Sequence, residues 1–205
     1  MTGVEEIHGL VVEFGTHSTR IGYIGDDRPR VVLPSAYAEP SGRAGDLALL
    51  ARGNAGVVRV VEEGDIRDWQ RGLEALWTEG VLWRLGLAQE GDALPPLVLV
   101  ENSGVLTQTA RERLCQVAFD VFRVPALFMA KTAVMVCFES GRHSGLVVDI
   151  GAGGTTVTPV YDGYVIKSGV VAQRGFGGDW LTQQLGLLLQ QAGDGMRHER
   201  SPEVA

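Results

Sequence analysis

The stretch LVVDIGAGGTTVTPV, residues 146–160, decides the fold predicted for this chain. It opens with an apolar, largely β-branched run that predicts a buried strand ending at Asp149. Gly151, Gly153 and Gly154 follow within four residues, and glycine permits positive φ and lets backbone N–H groups approach a ligand closely. Residues 155–160 then predict a second strand that returns antiparallel to the first.

This glycine turn has two interpretations. Successive backbone amides in such a turn form an anion-binding nest, and an aspartate just before it can hold a metal-bound water against a phosphate oxygen. Alternatively, the stretch is a tight hairpin whose aspartate bonds its own turn. Taken alone, the stretch favours the plain hairpin, because short motifs of this kind match often by chance.

The same pattern occurs near the amino terminus. An apolar run at residues 10–12 leads into Glu13, a Gly/hydroxyl turn over residues 14–18, and a return strand over residues 19–24. Two copies of strand, acid, turn and strand indicate an internal duplication. We therefore expect the hairpins 11–23 and 147–160 to face each other across a cleft and to clamp the two ends of a polyphosphate.

Composition excludes several classes of function. The 205 residues carry a net charge of −7 without a run of Lys or Arg, so direct nucleic-acid binding is not expected. No Cys/His spacing suits structural zinc, and Cys115 and Cys137 are expected to be buried free thiols in a reducing compartment. No signal peptide and no apolar run of membrane-spanning length is present.

Four segments resemble the actin superfamily, and the likeness runs from about residue 11 to residue 189. Residues 11–35 resemble the first phosphate loop of actin and the β-meander after it, residues 64–69 the start of the next helix, residues 149–155 the second phosphate loop, and residues 162–164 the turn that follows. The resemblance implies an α/β fold of the actin-like ATPase, ribonuclease H-like, kind.

Within the superfamily, residues 130–134, 138–142, 155–156 and 161–165 most resemble the nuclear actin-related protein 4 group. That resemblance implies a subunit of chromatin-remodelling or histone-acetyltransferase complexes, located in the nucleus and secondarily in the cytoplasm. Because no nuclear import signal is evident, entry together with partners is expected.

The resemblance also implies a division of the chain. Residues 1–139 form a first actin-like domain with a shortened insertion at about 35–61, which argues against actin-like filaments. Residues 140–192 begin a second, incomplete domain, and residues 193–205 form a disordered tail. An incomplete domain is expected to leave apolar sheet edges and faces open, to be covered by more chain or by a partner.

Periodicity predicts the elements themselves. They are a three-stranded meander over 4–33; a loop over 35–56 with a short helix at 47–51; a strand over 57–61; a helix over 68–85 capped by Asp68; a strand over 97–100; an amphipathic helix over 107–122; a strand over 124–128; a buried helix over 129–139; a strand over 164–171; and a helix over 179–191.

The resemblance implies ATP with Mg²⁺ as the ligand. In the first loop, Glu13, Gly15 and Thr16 stand at the positions of the acid, the amide and the hydroxyl, His17 replaces a small glycine, and Arg20 replaces a lysine. Arg20 keeps the positive charge with a different, forked geometry. Alternatively, Arg20 is an exposed strand charge and His17 a loop histidine bonded to backbone.

In the second loop, Asp149 would hold Mg²⁺ through water, while Gly151 and Gly153 would supply amides beside Gly154 and Thr155. Ala152 replaces a family acid, which removes a group that orders the metal's water shell.

Hydrolysis additionally needs a polar side chain to orient the attacking water. At the positions of the family's glutamine and histidine this chain has Thr132 and Thr156, so no catalytic residue is assigned. We expect ATP binding that is weak or absent and hydrolysis that is negligible. Alternatively, the two threonines are an ordinary helix hydroxyl and an ordinary strand residue.

The resemblance further implies a groove that receives partner helices, lined by Phe138, Gly141, His143 and Tyr164. Its expected partners are actin and a scaffold helix of a remodelling ATPase. An aromatic residue at a helix end is, alternatively, part of the core. The leading hypothesis is thus a non-catalytic interaction subunit, and the alternative is a divergent cytoskeletal actin-like ATP-binding protein. A sugar-kinase relative lacks a recognisable sugar-binding acid.

Overall fold

The computed structural model describes residues 9–39, 43–44, 56–62, 65–87, 94–101 and 106–191. Its strands are β1 Leu10–Phe14, β2 Ser18–Tyr23, β3 Val31–Pro34, β4 Ala36–Glu39, β5 Arg43–Ala44, β6 Gly56–Arg59, β7 Val61–Glu62, β8 Asp65–Ile66, β9 Leu97–Glu101, β10 Leu127–Lys131, β11 Gly145–Ile150, β12 Gly154–Tyr161, β13 Tyr164–Val165 and β14 Val171–Arg174. The helices are α1 Arg71–Trp77, α2 Gln108–Gln116, α3 Thr132–Glu139 and α4 Gly178–Gln191. The chain has mixed α/β content, as expected for an actin-like fold.

The first sheet joins the amino-terminal hairpin to two later parallel strands. Among the described residues it has five strands in the order β10-β9-β1-β2-β3, with β1 parallel to β9 and antiparallel to β2. Alternate residues such as Leu10 and Val12 are fully buried, which is the pattern of strands packed on a core. Parallel pairing of β1 and β9 places the carboxyl end of each at the same edge of the sheet, where ligand loops gather.

Two helices cover this sheet. Leu73 and Leu76 of α1 and Leu114 of α2 are buried in the same core cluster. Each helix continues into wider π-type turns, Thr78–Arg84 after α1 and Val117–Val121 after α2. The rings of Trp77 and Phe122 stack at the two helix ends, with centroids 4.1 Å apart. The first lobe therefore has a core of its own.

The second sheet carries the glycine turn that decided the fold. β12 pairs antiparallel with β11 on one side and with β13 and β14 on the other. Helix α3 packs on one face, where Ala133, Val134 and Cys137 form a buried cluster with Val160. None of the described side chains of α4 is buried.

The predicted loop over 35–56 is wrong in its described part. β4 pairs with β5 and β6 in a small sheet, and Tyr37 is 4% exposed with its hydroxyl donating to Asp68 at 2.7 Å. The flanking Pro and Gly residues predict a loop, whereas β4 is buried through contacts with residues that are distant in sequence. The helix predicted at 47–51 and the tail at 193–205 lie outside the described residues. The strand predicted over 57–61 is interrupted at Val60, after β6.

Two predicted helix starts are also wrong. Asp68 does not cap α1, because the helix begins at Arg71 after Gln70; the Asp68 carboxylate nevertheless accepts hydrogen bonds from backbone N–H groups of residues 70–72. The helix predicted from residue 129 begins at Thr132, since parallel pairing with β9 keeps the chain extended through Lys131. For the same reason the preceding strand lies at 127–131 rather than 124–128.

Three further expectations need correction. Helix α3 is buried on one side only, with Val136 and Phe138 exposed. Cys115 is half-buried, although both cysteines are free among the described residues. The strand predicted over 164–171 is broken by a 3₁₀ turn, Lys167–Gly169, in which a Cβ at Gly169 would meet the ring of Pro159. Within the described part of the chain, no helix is long and apolar enough to cross a membrane.

Candidate functional site

Both glycine turns line one cavity of about 240 Å³. The first hairpin contributes residues 13–18 and Arg20, the second hairpin residues 149–156, and β14 adds residues 172–174. The prediction that the two hairpins face each other across a cleft is confirmed. The cavity therefore lies between the two lobes, at the carboxyl edges of β1 and β11.

The first turn is held by its own backbone. The N–H of Gly15 donates to the Ser18 carbonyl at 3.2 Å, and a Cβ at Gly15 would lie 2.8 Å from that same oxygen. Only glycine fits this approach without moving the turn. His17 is exposed at the tip, where its carbonyl accepts from the N–H of Ser35 at 3.1 Å. His17 is also among the residues that line the cavity.

The cation of the first hairpin is paired with its acid. Glu13 and Arg20 are register partners on β1 and β2, and their side chains form an ion pair at 2.9 Å. The pair is partly solvated, with side-chain exposures of 51% for Arg20 and 32% for Glu13. An ion pair this exposed contributes at most about 1 kcal/mol. A phosphate could therefore compete for the guanidinium at small cost.

The carbonyls of the second loop point toward α4. Those of Gly151 and Ala152 accept from the N–H groups of Gly178 and Asp179, each at 3.0 Å, and that of Gly153 accepts from Gly175 at 2.8 Å. Because N–H and C=O point in opposite directions across a trans peptide, the amides that follow these carbonyls point away from α4. This arrangement suits an anion-binding nest on the other side of the loop.

The polar side chains of the second loop have unequal roles. The hydroxyl of Thr155 donates to the Phe176 carbonyl at 2.7 Å, so it anchors the segment before α4. Asp149 is half-buried at the end of β11 and faces the cavity. Thr156 is 4% exposed. Of these three, Asp149 is the residue whose position best suits a ligand.

A buried carboxylate that sequence analysis did not single out lies beside the cleft. The Glu101 side chain has no exposed surface; its Oε1 is bound by Lys131 Nζ and, at 3.2 Å, by Arg111 Nη2. Its Oε2 has no hydrogen-bond partner among the described residues. Thr132 donates its hydroxyl to the Glu101 carbonyl at 3.2 Å. The only sequence signal was the position of Glu101 at the carboxyl end of a predicted strand.

These residues fit a phosphate group better than a hydrated metal ion. Loop amides and Arg20 suit an anion. Few carboxylates are available to a metal ion, because Glu13 is bound to Arg20 and position 152 is an alanine. No cluster of three metal-ligating side chains occurs among the described residues. The cleft therefore suits a phosphate group rather than a magnesium ion.

Sequence analysis also missed the contribution of β14. Gly154 pairs with Arg174, and this register brings Ala172, Gln173 and Arg174 to the cavity wall. The predicted strand over 164–171 stopped short of these residues. Arg174 gives the second lobe a cation at the cleft, as Arg20 does for the first.

The expected partner groove forms a cluster of its own at the far end of α3. Phe138 is 47% exposed and meets the His143 ring edge-on, with centroids 5.9 Å apart. The N–H of Gly163 donates to the His143 carbonyl at 2.7 Å, and Tyr164, next in the chain, is 78% exposed. Gly141 ends the helix with φ +68°. The four predicted residues thus lie at one end of the second lobe.

Comparison with known proteins agrees with this architecture. The actin family model matches residues 4–201, so the chain belongs to the actin family. Curated relatives include actin-related protein 4 of Arabidopsis thaliana, 30% identical over 227 residues, covering 94% of this chain and 50% of the relative. Actin-related protein 4 of Oryza sativa subsp. indica is also 30% identical, over 230 residues, covering 94% and 51%.

Actin-related protein 4 of Debaryomyces hansenii is 30% identical over 217 residues, covering 96% of this chain and 42% of the relative. The chain is thus an actin-related protein that spans about half the length of the curated relatives it matches.

Proposed function

We propose that this chain is a non-catalytic actin-related subunit of a nuclear chromatin-remodelling or histone-acetyltransferase complex. In this proposal it binds partner helices and actin, and its cleft is a degenerate ATP site. The resemblance to the actin-related protein 4 group motivates the complex and the location. The chemistry of the cleft motivates the absence of catalysis.

One observation carries the non-catalytic assignment. Where the resemblance expects a glutamine to orient the attacking water, Thr132 directs its shorter hydroxyl to the Glu101 carbonyl. Where it expects a histidine, Thr156 is buried in β12. Neither side chain can place a water in line with a γ-phosphate, because both are too short and one is already bonded to backbone.

Partner binding rests on the groove at the end of α3. Phe138, His143 and Tyr164 present aromatic surface beside a tight turn. Aromatic residues anchor protein–protein interfaces because they bury a large area at low entropic cost. An amphipathic helix from a scaffold subunit would dock its apolar side against Phe138 and Tyr164.

Affinity purification from the native cells tests the complex. The tagged protein should retain actin and a remodelling ATPase, and a Phe138→Asp variant should lose the ATPase while remaining folded. Val32→Asp, at an exposed site on the opposite lobe, is the matched control. Recovery of cytoskeletal motors or filaments alone would instead support the divergent cytoskeletal protein.

Nucleotide binding is tested separately. An intact site would gain about 2.7 kcal/mol of stability from Mg-ATP at a hundredfold excess over its dissociation constant. Because the site is degenerate in this proposal, the midpoint of thermal unfolding should shift little with Mg-ATP. Phosphate release should stay at background. Actin-like ATP turnover by the purified protein would overturn the non-catalytic assignment.

A further inference from the structure

The acid and the cation of the first hairpin both line the cleft, and they bind each other there. Glu13 on β1 and Arg20 on β2 are register partners, so their side chains lie on the same side of the sheet. Arg20 Nη1 donates to Glu13 Oε2 at 2.9 Å, and both residues belong to the cavity lining. The guanidinium of the first lobe therefore faces the cleft with an acceptor already bound.

The charges around the cavity balance. Among the described residues, five charged side chains line it: Glu13, Glu101, Asp149, Arg20 and Arg174. Glu101 is neutralised from outside the lining, because Lys131 and Arg111 both bind its Oε1. The two remaining acids face two arginines, so these side chains supply no excess positive charge to attract an anion.

The loop amides of the cleft favour an anion, whereas Glu13 opposes one. A phosphate that binds the Arg20 guanidinium must displace the Glu13 carboxylate. Breaking so exposed an ion pair costs little, but it leaves an unpaired carboxylate next to the phosphate. Like charges at such a distance repel each other. Because the Glu13 side chain is only 32% exposed, the solvent screens this repulsion incompletely.

We propose that Glu13 competes with the cleft ligand for Arg20 and thereby keeps the affinity for that ligand low. The ligand class is a compact phosphate or polyphosphate anion, which needs the same guanidinium. The inference rests on the proposed function, in which the cleft is a degenerate phosphate site. It adds a cause of weak binding that is separate from Thr132 and Thr156, since those residues bear on hydrolysis.

A supporting role for Glu13 would have the opposite consequence. An acid that served the ligand by holding a hydrated cation would strengthen binding, and its removal would weaken binding. The observed pairing favours competition, because the carboxylate is bound to the one cation that the first hairpin brings to the cavity lining. The sign of the change in affinity therefore separates the two roles.

Isothermal titration with inorganic triphosphate, in the presence of EDTA to exclude metal ions, tests the proposal. Glu13→Gln removes the charge and nearly keeps the shape. It should lower the dissociation constant at least about tenfold, which corresponds to about 1.4 kcal/mol. Glu13→Asp keeps the charge and should have a smaller effect, whereas Arg20→Gln should raise the dissociation constant. The gain in Glu13→Gln should shrink as the salt concentration rises.

Asp26→Asn is the matched control. It breaks an exposed arginine–carboxylate pair of similar length, with Arg30 at 2.7 Å, outside the cavity lining, so the dissociation constant should be unchanged. Circular dichroism establishes that each variant is folded, and Glu13→Ala provides a second variant that removes the same charge and should shift affinity in the same direction.

Two outcomes overturn the inference, and they differ in what they say of the site. If wild-type protein binds triphosphate and Glu13→Gln binds it equally or more weakly, the competition is absent while the degenerate phosphate site stands. If neither wild-type protein nor Glu13→Gln binds triphosphate at millimolar concentration, the phosphate site of the proposed function falls together with the inference.

Discussion

At the residue scale, Gly177 fixes the junction between the second glycine turn and α4. A Cβ there would collide with the Gly151 carbonyl oxygen and lie 2.7 Å from both the Ala152 oxygen and the Gly154 nitrogen. All three are backbone atoms that cannot rotate away. We expect Gly177→Ala to destabilise the protein by about 2 kcal/mol, as for overpacking generally, measured by urea unfolding.

Gly186 gives this prediction a control of opposite sign. It lies in α4, and a methyl group added there would meet no atom within 4 Å, so alanine fits and favours the helix. Gly186→Ala should stabilise α4 by about 0.5–1 kcal/mol. Equal effects of the two substitutions would show that the contact at Gly177 is absent.

The hydrogen bond between Tyr37 and Asp68 predicts a pH dependence at both extremes. The bond to Asp68 raises the pKa of Tyr37 to about 12, from an ordinary value of 10.0. Its contribution to stability is therefore complete below pH 10 and is lost as pH rises toward 12. Burial raises the pKa of Asp68, but the hydrogen bonds from Tyr37 and from backbone N–H groups outweigh it and lower that pKa below 3.8. Stability from the carboxylate is thus lost as pH falls below its ordinary range.

Tyr37→Phe tests this account. It should reduce stability by about 1–2 kcal/mol near neutral pH, because the half-buried Asp68 carboxylate loses a hydrogen bond. It should also flatten the fall in stability between pH 10 and 12, and remove one late-titrating group from the tyrosinate absorbance. An unchanged alkaline slope in Tyr37→Phe would contradict the assignment.

Substitution of Glu101 should lower the free energy of unfolding more than Tyr37→Phe does. Glu101→Ala would leave Lys131 and Arg111 facing an apolar cavity without their shared counter-ion. Removing one partner of a buried ion pair costs about 3–5 kcal/mol, and we expect about 2–3 here because both cations are partly solvated. Denaturant unfolding measures the change. Lys131→Met is the comparison and should cost less, since Arg111 still neutralises the acid.

At the scale of elements, strands and turns that follow from local residue patterns were predicted correctly. Element boundaries that depend on contacts between distant residues were not. The two strand–acid–turn–strand hairpins follow from apolar runs and glycines, and both were located. The extended conformation of Lys131 depends on pairing with Glu101, thirty positions away, so helical periodicity placed the start of α3 too early. Likewise, the cleft contribution of Arg174 depends on its register with Gly154, which composition does not encode.

Helix α4 predicts the dynamics of the second lobe. Its first turn is tied to the glycine loop, but its leucines at 181, 185 and 188 are 58–61% exposed. A helix without buried contacts has little to prevent local opening. In hydrogen exchange at concentrations too low for association, amides of α4 after residue 182 should exchange much faster than those of β12. Equal protection would show that the leucine stripe is covered.

At the scale of the whole molecule, two sheets line one cleft, and an ion pair connects the small third sheet to helix α4 beside it. Arg59 on β6 meets Asp179 at the start of α4 at 2.6 Å, although the residues are 120 positions apart. Both side chains are partly exposed, so the pair itself should contribute about 0.5 kcal/mol. The pair also joins the small sheet to the start of α4, whose N–H groups donate to the second phosphate turn.

A double-mutant cycle on Arg59→Gln and Asp179→Asn separates these two contributions. The coupling energy for unfolding should stay below about 1 kcal/mol. Each single variant should weaken the binding of inorganic triphosphate by a similar factor. The double variant should bind no more weakly than either single one, because both substitutions remove the same contact. Arg67→Gln is the control. It removes an exposed ion pair with Glu62, 3.4 Å in length, and neither residue lines the cleft, so triphosphate binding should be unchanged. Additive losses in the double variant would show that Arg59 and Asp179 act on the ligand separately rather than by holding the lobes together.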